Sequence, residues 1–275
     1  MPLIIRLRTK NAIPIEVDSI RLETVREQTV DQIKATLVQY GNKTPTLGEF
    51  FDVSGSAADD NHLVWEGDCA QVKLIGTNWI AGRITIDGPA GMHLGAEMTG
   101  GEIEVRGSAA DWVGAEMKGG RIRVRGNTGH CVGAVYRGGR RGMTGGEILI
   151  DGDAGNEIGH TMRRGLIAVR GKIGDAAGFN MLAGSLFLFG SAGIRHGAGM
   201  RRGTIGFFGD DPAPPLLPTF KYSCTYRPTF LRVYLLHLRK IGFEIPEPCL
   251  TANYRRYNGD FLELGKGEVL IREPS

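Results

Sequence analysis

Cysteine is scarce in this chain. Cys69, Cys131, Cys224 and Cys249 are widely scattered and form no C-x-x-C pair, so no zinc ribbon or iron–sulfur motif is written here, and the four read as reduced thiols. Long apolar runs are missing too. None approaches the roughly eighteen residues that a membrane span needs, and Met1-Pro2-Leu3-Ile4-Ile5-Arg6 lacks the long apolar core of a signal peptide, so a cytoplasmic protein is expected. Charge of one sign is also absent: 33 basic against 30 acidic residues leave +3, too little to argue for nucleic acid. The few aromatics are not interleaved with basic residues in the manner of single-strand binders.

Glycine, by contrast, supplies 42 of 275 residues and is ordered. Gly88, Gly107 and Gly126, then Gly152, Gly171, Gly190 and Gly209, recur every 19 residues, with one beat of 26 between Gly126 and Gly152. Two further ladders run in phase, one from Gly95 to Gly197 and one from Gly101 to Gly203. The long beat implies a seven-residue insertion, roughly 134–140, and insertions in repeat arrays map to loops, often on the binding face. Three glycine corners per unit suit one coil of a triangular solenoid, because glycine turns tightly at positive φ without a Cβ penalty. Short β-branched segments such as Ile84-Thr85-Ile86, Ile103-Glu104-Val105 and Ile122-Arg123-Val124 precede the first ladder, with apolar outer members. The expected fold is therefore all-β: a right-handed parallel β-helix of about seven 19-residue coils, a prism roughly 30 Å long at about 4.8 Å per coil.

Met98, Met117, Met143, Met162, Met181 and Met200 share one phase with no Cys or His, which reads as adaptable core filling rather than a soft-metal site. His196 continues the inward row Leu94, Val113, Val132, Ile158 and Ala177, so a core or end-cap histidine is expected there.

The flanks differ. Residues 1–60 read as a small α+β N-terminal cap, with strands at Leu3–Leu7 and Ile13–Val17 and a helix from Thr29 to Tyr40. The repeat occupies 61–209, starting from a degraded unit at 61–76. Residues 210–275 form a C-terminal wrap: a proline-rich linker, a helix over Thr229 to Ile241 whose apolar positions cover more than one stripe and so suggest burial on two sides, and a closing strand at 265–271.

An independent active site finds little support. Glu97 and Glu116 share a phase, but Gly142, Thr161, Asn180 and Gly199 follow them, so no stacked carboxylates arise and the pair reads as a solvated edge. The Asp59-Asp60 and Asp210-Asp211 pairs read as turn residues. Outward positions alternate in charge, Glu102, Arg121 and Glu147 on one row and Glu104 and Arg123 on the next, and so support register. The same face then becomes apolar at Leu166, Ala168, Phe187, Phe189 and Phe208. Phe187, Phe189 and Phe208 are candidates for a partner interface, unless the C-terminal helix covers them within the chain.

The runs Gly95-Ala96-Glu97-Met98-Thr99-Gly100-Gly101 and Gly114-Ala115-Glu116-Met117-Lys118-Gly119-Gly120, the inserted Tyr136-Arg137-Gly138-Gly139-Arg140-Arg141-Gly142-Met143 and the Gly265-Lys266-Gly267-Glu268 ending resemble the C subunit of formylmethanofuran dehydrogenase. The resemblance is nearest to the bacterial form, the corresponding C subunit of the formyltransferase/hydrolase complex of methylotrophs. Gly139 and Arg140 stand where the archaeal pattern carries an acidic and an aromatic residue. This resemblance implies a non-catalytic scaffold subunit in tetrahydropterin-linked oxidation of formaldehyde to formate. Its implied partners are a metallohydrolase-like, a formyltransferase and a dehydrogenase-B-like subunit. No cofactor would be bound tightly, although contact with the glutamate-rich tail of a methanofuran- or methylofuran-type cofactor is implied. The archaeal tungsten or molybdenum dehydrogenase, and a glutamate synthase-like domain built on the same glycine repeat, are alternatives, and a self-contained β-helix enzyme is a third kind of reading.

Arginines supply the one feature that looks like a ligand site. Arg163-Arg164 and Arg201-Arg202 occupy identical phases two coils apart, about 10 Å along the prism, Lys118 shares the first phase, and Arg137, Arg140 and Arg141 crowd the insertion. Guanidinium forks suit carboxylates. The patch is therefore expected either to hold the polyglutamate tail or to meet acidic partner surfaces and solvent.

Overall fold

The computed structural model describes residues 1–9, 12–210 and 212–274. Asp211, read above as a turn residue, lies outside the described residues. The chain is predominantly β, built on one 13-stranded, mostly parallel sheet with a 3-stranded sheet beside it. The parallel part starts with Leu3–Leu7 and His62–Glu66 and continues through Arg83–Asp87, Glu102–Val105, Arg121–Val124, Glu147–Ile150, Leu166–Val169, Ser185–Leu188 and Arg202–Phe207. The closing strand Lys266–Arg272 stacks in parallel on Arg202–Phe207.

Register follows the glycine spacing. Ile84, Ile103, Ile122, Ile148, Ile167, Leu186, Ile205 and Val269 face one another strand by strand, and every one is buried. A one-residue slip would turn that whole row outward, so burial specifies the pairing. A second set of parallel bridges links Cys69, Ala90, Ala109 and Thr128, and then Ala154, Ile173 and Ala192, again one repeat apart. The six methionines of the shared phase are all fully buried, as is His196, whose Nδ1 accepts from the Ala177 amide.

The ladder glycines fall into two physical kinds. Those of the two in-phase ladders lie at positive φ, as at Gly120 (φ 85°) and Gly165 (φ 99°). The ladder through Gly107 needs glycine for a different reason than the expected tight turn. Beyond Gly88 its members avoid the left-handed region, and a Cβ on Gly107 would lie 2.6 Å from the Gly88 carbonyl oxygen. Close stacking of backbones excludes the side chain there.

Two expectations for the flanks are corrected. The helix spans only Val30–Lys34, started by a capping box between Thr29 and Gln32. Leu37 then bridges Thr46, and Gln39–Tyr40 pairs with Ile15–Glu16 as a short strand. The amides of Val38 and Leu47 bond across this reversal, so the backbone finds partners without a longer helix. At the other end, Thr229–Lys240 is helical and buries one face, Leu231, Leu235 and Leu238. Its opposite side, including Val233 at 68 % exposure, remains open rather than covered.

That helix also corrects the interface reading. Phe187 and Phe208 are fully buried in a cluster with Leu231, Leu235, Leu238 and Phe243, and Phe189 stacks on Phe208 at 4.7 Å. The reason is visible in the outward row Glu104, Arg123, Leu149, Ala168, Phe187, where charge gives way to apolar side chains and the chain's own helix seals them. Arg123 fastens the helix end by donating to the carbonyls of Ile241 and Gly242, and it pairs with Asp151. Glu104 pairs with Arg125 instead. The register pair Glu102–Arg121–Glu147 forms as expected, at 3.2 and 3.0 Å.

Candidate functional site

Repeat stacking positions the basic residues. The amides of Lys118, Arg163, Leu182 and Arg201 donate in turn to the carbonyls of Met98, Met143, Met162 and Met181, so these residues form one row along the stack. Arg164, Ala183 and Arg202 follow at the next phase. The result is an open groove of about 820 Å³ lined by Arg141, Arg163, Arg164, Arg201, Arg202 and Tyr234, together with Gly165 and the segment Leu182-Ala183-Gly184-Ser185. No acidic residue lines it. Among the described residues, Arg201 alone of its five arginines pairs with a carboxylate, that of Glu263 at 3.1 Å. Many other arginines on the strands or just after them, such as Arg83, Arg106, Arg121 and Arg125, are ion-paired. The groove thus concentrates largely uncompensated positive charge, which suits a ligand with several carboxylates.

The remaining candidates lie outside the groove. Arg140 lines an adjoining cavity of about 310 Å³ with Arg201 and Glu263. Lys118 pairs with Glu97 at 3.1 Å, and Arg137 is exposed on the insertion and lines neither cavity.

Sequence reasoning missed what holds the insertion in place. Tyr136 donates or accepts a 2.9 Å hydrogen bond with His93 Nδ1 and stacks on Trp112 at 5.2 Å, while its amide donates to Glu116 at 3.0 Å. Glu116 is therefore a structural acceptor for the insertion rather than a solvated edge. Burial, with Lys73 second, pushes the His93 pKa down, so the ring is neutral near pH 7. Burial and then Glu116 and Glu97 push the Tyr136 hydroxyl up to about 12. His93 and Trp112 share a 19-residue phase that could have signalled a stacked pair, but Tyr136 sits on the aperiodic insertion and carried no such signal.

No group of three or more His, Cys, Asp or Glu side chains arranged to hold a metal occurs among the described residues. Burial raises the Cys69 and Cys249 thiols to about 12 and about 11, which keeps them protonated and weak as nucleophiles. No helix among the described residues is long and apolar enough to cross a membrane.

Comparison with known proteins concerns the chain as a whole. Residues 76–213 match the GXGXG motif family, half of the chain. The chain belongs to the GXGXG motif family. One chain in the crystal structure of the formyltransferase/hydrolase complex from Methylorubrum extorquens with methylofuran superimposes with a TM-score of 0.89 at 29 % identity, covering 98 % of this chain and 100 % of that one. The C subunit of the tungsten-containing formylmethanofuran dehydrogenase 2 from Methanothermobacter marburgensis is 39 % identical over 87 residues, 30 % of this chain and 32 % of the relative. The C subunit of the molybdenum-containing dehydrogenase 1 from the same organism is 39 % identical over 83 residues, 30 % of this chain and 21 % of the relative. The matched segment thus spans a third or less of these curated relatives.

Proposed function

We propose that this GXGXG chain is a non-catalytic, cytoplasmic scaffold subunit of a formyltransferase/hydrolase complex in tetrahydropterin-linked one-carbon metabolism. In this reading the repeat is a right-handed parallel β-helix at 61–209, capped by 1–60 and closed by 210–275. Its partners are the metallohydrolase-like, formyltransferase and dehydrogenase-B-like subunits. The observation that carries the proposal is end-to-end likeness to a chain of such a complex, combined with a groove of five arginines in which four lack a carboxylate partner among the described residues.

The groove's role is to hold the polycarboxylate tail of a furan-type cofactor, the kind of molecule present in the Methylorubrum complex. Each guanidinium offers a planar fork of donors to a carboxylate, and arginine rows about 10 Å apart reach several carboxylates of one tail. The chain's own residues bind and orient, and the bond-making chemistry falls to other subunits. Charge reversal at Arg163→Glu with Arg164→Glu tests this in the assembled complex. The apparent Michaelis constant for the natural cofactor should rise, more so at low salt, and a cofactor with a single glutamate should be affected less. Normal assembly with unchanged cofactor kinetics contradicts the tail site, and failure to assemble makes the patch an interface.

A second reading, the C subunit of an archaeal formylmethanofuran dehydrogenase, is favoured by the higher identity over the shorter segment. It assigns the chain the same scaffold role beside different catalytic subunits.

A further inference from the structure

The arginine groove does not end at Arg201. Both Arg201 and Leu182 line the groove and also the cavity beside it, where Arg140, Thr161, Asn180 and Gly199 complete the wall. Glu263 is the one acidic side chain in either lining, and its Oε2 lies 3.1 Å from Arg201 Nε. Resting on the tail-binding reading above, we propose that groove and cavity form one continuous polyanion track. Its step at Arg201 and Arg140 is a carboxylate subsite that Glu263 occupies in the free chain and a ligand carboxylate takes over.

The loop bearing Glu263 is built for such an exchange. Its base is fixed: the Asp260 carboxylate accepts from the amides of Gly199 and Leu262 at 3.0 and 2.9 Å, and the Glu263 amide donates to the Asp260 carbonyl at 3.0 Å. Its tip is not packed, with Leu262 82 % exposed. The Glu263 carboxylate is thus tethered beside Arg201 by a fixed backbone, while its side chain can rotate away without unfolding anything. An exposed ion pair of this kind is weak, and a ligand already anchored on Arg163, Arg164 and Arg202 presents its next carboxylate at high effective concentration. Thr161 and Asn180 supply further hydrogen-bonding groups at that step. The ligand class is a linear polycarboxylate long enough to run from Arg163 past Arg201, and a dicarboxylate that fits within the groove alone gains nothing from the subsite.

The test is titration of the full chain at low ionic strength with synthetic diglutamate, tetraglutamate and hexaglutamate, comparing the wild type with Glu263→Gln and Glu263→Asp. Both substitutions should tighten hexaglutamate binding, by about two- to fivefold for Glu263→Gln given the modest strength of exposed ion pairs, and leave diglutamate unchanged. If the wild type binds hexaglutamate, Arg163→Glu with Arg164→Glu abolishes that binding, and Glu263→Gln binds it equally or more weakly, the subsite is wrong while the groove stands. If the wild type binds no hexaglutamate, or the double arginine variant binds it as well as the wild type, the groove reading fails and the subsite falls with it.

Discussion

Tyr136 and His93 lie 43 residues apart in sequence and 2.9 Å apart between phenolic oxygen and Nδ1, and this contact pins the seven-residue insertion against the stacked repeats. Trp112 supports the Tyr136 ring from one face and Glu116 holds its amide. Arg137 and Arg140 of the insertion, and Arg141 just after it, are displayed from this anchored base. Tyr136→Phe should cost about 1 kcal/mol for the lost hydrogen bond, and Tyr136→Ala more, because the stacking partner also goes. The direct readout is limited trypsin digestion, with cleavage after Arg137, Arg140 and Arg141 several-fold faster in Tyr136→Ala. Unchanged cleavage would mean that the aromatic contact does not restrain the loop.

Glycine positions should separate by what a side chain would meet. A Cβ at Gly120 lies 2.6 Å from Met98 Cε and 2.7 Å from the Gly101 carbonyl oxygen, and one at Gly165 lies 2.7 Å from Met143 Cε. Both also require positive φ. Gly120→Val and Gly165→Val should each cost at least about 1–3 kcal/mol. Gly138, also at positive φ but with nothing within 4 Å, should lose only about 1 kcal/mol as Gly138→Ala. Equal melting temperatures for all three variants would contradict the corner assignment.

The helix that covers the aromatic face sets a third expectation. Leu235 is fully buried against the cluster of Phe187 and Phe208, so Leu235→Ala should cost about 2–5 kcal/mol. Exposed Val233→Ala should change stability by less than about 0.5 kcal/mol. Denaturant titration of the two variants distinguishes a sealed face from a loosely laid one.

Acid should act through Asp260. Burial opposes its ionisation, but the amides of Leu262 and Gly199 outweigh this and hold its carboxyl below the usual range. An acid with a lowered folded pKa contributes stability that is fully present above its unfolded value of about 3.9 and is lost as pH falls through the folded value. The wild type should therefore lose stability relative to Asp260→Asn as pH drops below about 4. Parallel stability curves down to pH 2 would remove Asp260 from the acid response.

Much of the fold was legible because parallel stacking repeats its chemistry every 19 residues: the isoleucine row, the methionine row and the glycine ladders each report one position of the repeat. Wherever periodicity stops, so does legibility. The apolar spacing of Ile33, Leu37 and Tyr40 resembled a helix, yet Leu37 and Tyr40 joined short bridges whose backbone partners lie elsewhere. Phe187 and Phe208 looked outward because their phase is outward, and only the fold of the C-terminal segment reveals their cover. The arginines of the groove were visible as a repeated phase, whereas Tyr234 and Glu263 reach the site from the aperiodic wrap.

Affinity purification of the tagged chain from its native cells, followed by native mass spectrometry and assay, tests the central claim most directly. The expected result is a hetero-oligomer with formyltransferase and metallohydrolase-like subunits, formyltransferase activity in the assembly and none in the chain alone. Recovery of an amidotransferase partner, or formyl transfer or hydrolysis by the isolated chain, would contradict it.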